Sequence, residues 1–97
     1  MKEWSVYLVE CNDGSYYCGI TLNVEKRVKK HNEGKGGKYT RSHRPVKLLD
    51  SCSGLTHGEA LRFEACVKGY PRKAKLQAIA TFEQNKDYYK EESCETS

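Results

Sequence analysis

The sequence predicts an α+β fold, a three-stranded antiparallel β-sheet flanked by helices. Three observations carry this. Two short runs of β-branched and aromatic residues, Trp4 to Cys11 and Tyr16 to Thr21, stand either side of the turn signal "NDG", which is a hairpin pattern. A third such run, "VKLLDSC", follows one amphipathic segment. Helix-opening residues then recur twice, so the order is β-β-α-β-α-α, with no repeat and no second domain.

Both hairpin strands are rich in residues that fit a pleated surface, and two turns could join them. A two-residue Asp13-Gly14 turn would place Asn12 opposite Ser15 and send Tyr7 and Tyr17 to opposite faces. A three-residue Asn12-Asp13-Gly14 loop would place Cys11 opposite Ser15, with Gly14 in the left-handed position of a G1 bulge. Tyr7 then lies opposite Gly19 and Tyr17 opposite Val9, all on one face, with Gly19 leaving open space above Tyr7. Asn23 caps a helix that runs to about Glu33 and closes at Gly34. "GKGGKYTRSHRP" is a basic, turn-rich loop ending at Pro45, and Val46 to Cys52 forms the third strand. Thr56-His57-Gly58-Glu59 fits a capping box that opens a second helix to about Lys68. Pro71 suits the first residue of a third helix, to about Phe82. Residues 1–83 are expected to form the domain, and residues 84–97, acidic and without periodicity, a disordered tail.

Ninety-seven residues make one small domain, and such a chain buries only about 60–65% of its unfolded surface. No apolar run approaches the ~18 residues of a membrane span, and no signal-peptide pattern is present. A soluble, cytoplasmic monomer is expected. Cys11, Cys18, Cys52, Cys66 and Cys94 are odd in number and lack any C-x-x-C pair. They read as reduced small hydrophobes rather than a disulfide framework or a zinc site. The net charge of +4 hides an asymmetry: Lys26 to Lys47 holds nine Lys/Arg against one acid, Glu33. Concentrated positive charge is the footprint of a polyanionic partner, although a solvated lysine surface looks the same.

Two charged residues break the helical pattern. In the first helix Arg27 and His31 share a stripe with Val24 and Val28, while Lys26, Lys29, Lys30 and Glu33 point away. An arginine on an inward edge needs a partner or cavity, unless it snorkels beside a satisfied histidine. In the second helix Glu64 falls inside the arc of Ala60, Phe63 and Val67. A carboxylate there must be paired, hydrogen-bonded or bound to a cation. An i, i+4 pair with Lys68 is the plainer account, worth only ~0.3–0.5 kcal/mol.

With this spacing laid out, the chain resembles the GIY-YIG nuclease superfamily, in its small single-domain bacterial branch of the UPF0213 type. "SVY" stands where that family has GIY and "YCG" where it has YIG. "GITLNVEKRVKKHN" resembles the family's arginine–histidine segment. "GKGGKYTRSHRPVKLL" and "EALRFEACVKG" resemble the branch's basic loop and glutamate helix. The match covers roughly residues 4–80. Ser5, Val6 and Cys18 depart from the motif without removing a hydroxyl, and a supporting asparagine found on a later helix of many members has no evident match.

The resemblance implies a metal-dependent endonuclease that hydrolyses phosphodiester bonds in nucleic acid, DNA before RNA, with little sequence specificity. Tyr7 and Tyr17 match the motif tyrosines, Arg27 the catalytic arginine, His31 the histidine one turn on, and Glu64 the metal-binding glutamate. Glu64 would hold one divalent cation, Mg2+ or Mn2+, and Arg27 would offer its planar fork to the phosphate. A free phenol, of pKa about 10, is a poor base at neutral pH. The field of Arg27 and the cation would favour phenolate, so either tyrosine could deprotonate the water. Tyr7, facing the glycine gap, is the favoured one, with His31 accepting or relaying the proton. Lys35, Lys38, Tyr39, Arg41, His43 and Arg44 would grip phosphates in a salt-sensitive manner, and a protein partner would supply any further specificity. The alternatives are a nucleic-acid-binding module that has lost catalysis, and a protein-interaction domain using the basic loop.

Overall fold

The computed structural model describes residues 2–35 and 42–82, so the expected tail lies outside the described residues. The elements are β1 (Trp4–Glu10), β2 (Tyr16–Thr21), α1 (Val24–Asn32), β3 (Lys47–Leu55), α2 (His57–Lys68) and α3 (Arg72–Ala80). This is the predicted order. The strands form one antiparallel sheet in the order β2-β1-β3.

The hairpin takes the three-residue loop. Cys11 N donates to Ser15 O at 2.8 Å and Gly14 N to Cys11 O at 2.9 Å, and Gly14 adopts φ 87°, which costs a residue without Cβ little. The register follows from that extra residue: Tyr7 pairs with Gly19 and Val9 with Tyr17.

β1 is the central strand and is covered on both faces, so Ser5 to Val9 are all buried instead of alternating. On one face Val6, Leu8, Cys18 and Leu55 pack against Ala60, Phe63 and Val67 of α2, Ile79 of α3, and Phe82. The Phe63 and Phe82 rings stand 4.9 Å apart. On the other face Tyr7, Val9, Cys11 and Val46 pack with half-buried Tyr17 and with Val24 and Val28 of α1. Fully burying a large apolar side chain contributes about 1.5–3 kcal/mol, so the α2/α3 layer holds most of the stability. The thinner α1 layer carries the polar cluster.

The caps set the helix ends. Asn23 accepts from Lys26 N at 3.0 Å. Thr56 and Glu59 complete both halves of the capping box. Several boundaries differ from expectation by one to three residues. β3 continues three residues past Cys52, because Leu55 pairs with Trp4 and closes the core, with Gly54 turning at φ 81°. Pro71 stands one residue before α3 in extended backbone. Among the described cysteines Cys11 and Cys18 are buried, Cys52 is half-buried and Cys66 is exposed, and all four are free thiols; Cys94 lies outside the described residues. No helix among the described residues is long and apolar enough to cross a membrane.

Candidate active site

β1 and α1 converge on one oxygen. The hydroxyl of Tyr7 lies 2.8 Å from Nε2 of His31, and Nε–H of Arg27 reaches the same oxygen at 3.5 Å. Arg27 and His31 are one turn apart on α1, which is why both meet a single strand residue. Arg27 donates to the phenol oxygen, and the direction of the Tyr7–His31 bond follows the histidine tautomer, with the hydroxyl donating where Nε2 is unprotonated. Tyr7 is 1% exposed and His31 fully buried. Tyr17 closes the other side of the imidazole, edge-on, with centroids 5.4 Å apart. The inward positions of Arg27 and His31 are thus explained by a shared partner.

Gly19 does not leave the open space expected above Tyr7. A Cβ built on Gly19 would lie 2.5 Å from the Tyr7 hydroxyl and 2.7 Å from Cζ. The phenol itself fills the gap, lying across β2 where any side chain would block it from His31.

Burial sets the resting electrostatics of the pair, and Arg27 alone does not favour phenolate. Burial pushes the Tyr7 phenol above the ordinary value of 10.0, and the opposing pull of the Arg27 hydrogen bond is smaller. Phenolate is therefore disfavoured at rest. Burial, and then the charge of Arg27, holds His31 below its ordinary 6.5. Both shifts favour a neutral phenol beside a neutral imidazole.

Glu64 is not gathered into this cluster. It sits on α2, in the opposite layer, with its side chain 18% exposed and a carboxylate oxygen 3.3 Å from Lys68 Nζ. The plain i, i+4 pair therefore does form. Burial, followed by the charge of Glu64, pushes the thiol of Cys18 up to about 12, which places Glu64 beside β2. Because β2 is the sheet edge, a single strand separates Tyr17 from the Glu64 side. Among the described residues no three His, Cys, Asp or Glu side chains form a metal-binding group. A hard cation that keeps its waters needs only one or two carboxylates besides substrate oxygens, and Glu64 fits that requirement in donor chemistry.

Of the expected nucleic-acid contacts, Lys38, Tyr39 and Arg41 lie outside the described residues. Lys35 is exposed just past α1. His43 stands 3.4 Å from the Asp13 carboxylate, and Arg44 Nη1 donates to Asn32 O at 3.5 Å. The end of the basic loop is stitched to the hairpin tip, since Asn12 N also donates to His43 O and Asn12 Nδ2 to Arg44 O. Sequence reasoning missed Asn32. Its amide accepts from Val46 N at 2.7 Å and donates to Val46 O at 3.1 Å, fixing α1 against the start of β3. An asparagine in a last helical turn carries no signal of such a long-range clamp.

The model of the GIY-YIG catalytic domain matches residues 3–78. A UPF0213 protein of Staphylococcus epidermidis is 48% identical over 79 residues, covering 81% of this chain and 96% of that protein. A UPF0213 protein of Nitratidesulfovibrio vulgaris is 44% identical over 78 residues, covering 80% of this chain and 71% of that protein. Among solved structures, the solution NMR structure of an E. faecalis protein superposes with a TM-score of 0.57 at 37% identity, covering 87% of this chain and 93% of that one.

Proposed function

The chain belongs to the GIY-YIG catalytic domain family, within its UPF0213 branch, and from that premise we propose that it is a divalent-cation-dependent endonuclease of low sequence specificity. The observation that carries the reading is the convergence of His31 and Arg27 on the Tyr7 oxygen. A buried phenol with an acceptor on one side and a cation on the other is arranged to pass a proton.

Tyr7 takes a proton from the attacking water as its own proton moves to Nε2 of His31, so the phenol stays neutral overall and the imidazole becomes charged. The raised phenol and lowered imidazole values keep the pair from ionising before substrate arrives. Half-buried Tyr17 orients the water. Arg27 turns its fork to the phosphate and stabilises the charge that develops there. Glu64 would hold the cation, which supplies neutralisation of the phosphate charge. The scissile phosphate would then lie at the β2 edge, within reach of both layers.

The test is cleavage of branched, nicked and single-stranded DNA, and of RNA, with Mg2+ or Mn2+, comparing wild type with Glu64→Ala. The reading requires cleavage that the substitution abolishes. Cleavage indifferent to Glu64 removes the mechanism. The pairing of Glu64 with Lys68 favours a second reading, a binding module without catalysis. Nucleic-acid binding with no cleavage under either cation would establish it.

A further inference from the structure

Beside Arg27, where β1 begins and β2 runs into α1, the surface opens into a groove of about 450 Å³. Its apolar lining is Trp4, Ile20 and Leu22, and its basic lining is Lys26, Arg27 and Lys30. Trp4 and Ile20 are half-buried against the core, but folding does not account for the rest of this surface. Leu22 is 59% exposed. Lys26 and Lys30, one turn apart and exposed, have no carboxylate partner among the described residues. The Trp4 ring rests tilted against His57, with centroids 4.4 Å apart.

We propose that this groove binds one unpaired nucleotide of a nucleic-acid strand, next to the phosphate held at Arg27. The base lies on Trp4 and Leu22, and the backbone phosphate meets Lys26 and Lys30. The inference rests on the reading above that the polyanion at Arg27 is nucleic acid. Three arguments select this occupant. The volume lies within the ~300–1,000 Å³ that accepts a ligand of nucleotide size. The charge is of one sign and continuous with Arg27, as a phosphate backbone requires. Charge alone would suit any polyanion, but an indole and an exposed leucine add a platform for a flat apolar ring. A base inside continuous duplex is stacked on both faces and cannot use it, whereas a single-stranded or flapped base can. The substrate class is therefore nucleic acid with an unpaired nucleotide beside the cleavage point.

Trp4 is the only tryptophan in the chain, so indole emission reports this groove alone. The full chain is titrated in EDTA with a single-stranded DNA oligonucleotide, an RNA of the same sequence and the blunt DNA duplex, with binding followed in parallel by anisotropy. At least one single strand should quench Trp4 emission to saturation and bind about tenfold or more tightly than duplex, and the tighter of DNA and RNA identifies the strand. Leu22→Asp, and Lys26→Glu with Lys30→Glu, stand at exposed positions and should each weaken single-strand binding by about tenfold with unchanged urea midpoints. Unchanged emission on a bound single strand, equal affinity for strand and duplex, wild-type binding by both variants, or no binding at all would each overturn the proposal. The two readings fail separately. Cleavage abolished by Glu64→Ala without quenching leaves the nuclease and removes the groove; quenching without cleavage does the reverse.

Discussion

The Tyr7 hydroxyl and His31 Nε2 lie 2.8 Å apart inside the core, and neither is exposed by more than 1%. A hydrogen bond so placed serves stability and chemistry together. Tyr7→Phe keeps the ring and leaves a buried nitrogen without its partner, so it should cost about 1–3 kcal/mol in urea unfolding. If the pair also relays the proton, cleavage falls by a factor of about 10²–10⁴. Stability lost with cleavage retained would reduce the pair to a structural one.

The same two groups set a pH dependence. His31 is held below 6.5 in the folded chain, so between that depressed value and 6.5 the unfolded state binds a proton that the folded state does not. Stability therefore rises with pH through that window and levels off above it. Tyr7 is raised above 10.0, so the unfolded chain loses its proton first and stability falls as pH climbs through 10.0. Urea midpoints against pH should show both limbs. His31→Phe should flatten the acid limb alone. The acid limb of cleavage should lie below 6.5, since the relay needs neutral imidazole.

Gly19 makes the pair possible. Gly19→Ala would put a methyl 2.5 Å from the Tyr7 hydroxyl, and a buried ring between β2 and α1 has little room to retreat. A cost of about 1–3 kcal/mol is expected, with cleavage reduced further because the phenol leaves His31. Tyr7→Phe in the same chain should recover part of the stability and none of the cleavage. Full tolerance of the alanine would mean that the ring does not lie across Gly19.

The hairpin was legible but its loop length was not, because Gly14 takes positive φ in a two-residue or a three-residue turn. The Cys11–Ser15 pairing decides it, and loop length fixes which residues share a face. The helix stripe exposed Arg27 and His31 as misplaced. The occupant of the Gly19 gap was not legible, since a missing Cβ shows that something approaches closely without naming it. Nor was the balance at Tyr7, where burial outweighs Arg27: a sequence lists charges but not the solvent removed from around them. Glu64 was picked out by periodicity, yet its distance from the tyrosines depends on how two layers meet at β2. The Asn32 clamp and the Trp4 groove join residues remote in sequence, and local pattern is blind to both.

Lys68 gives the sharpest test of what Glu64 does. Its side chain is 54% exposed, with the ammonium 3.3 Å from the carboxylate, a geometry worth only about 0.3–0.5 kcal/mol on a helix surface. Lys68→Ala should therefore leave the urea midpoint nearly unchanged. A cation binding at Glu64 must compete with that ammonium for the same oxygen and is also repelled by its charge. Removing it should lower the Mg2+ or Mn2+ concentration for half-maximal cleavage by about 2–5-fold. Glu64→Gln should abolish the cation response, and its combination with Lys68→Ala should restore nothing. If the half-maximal concentration stays the same in Lys68→Ala while Glu64→Gln still cleaves, the carboxylate is only half of a surface ion pair, and the cation is held elsewhere.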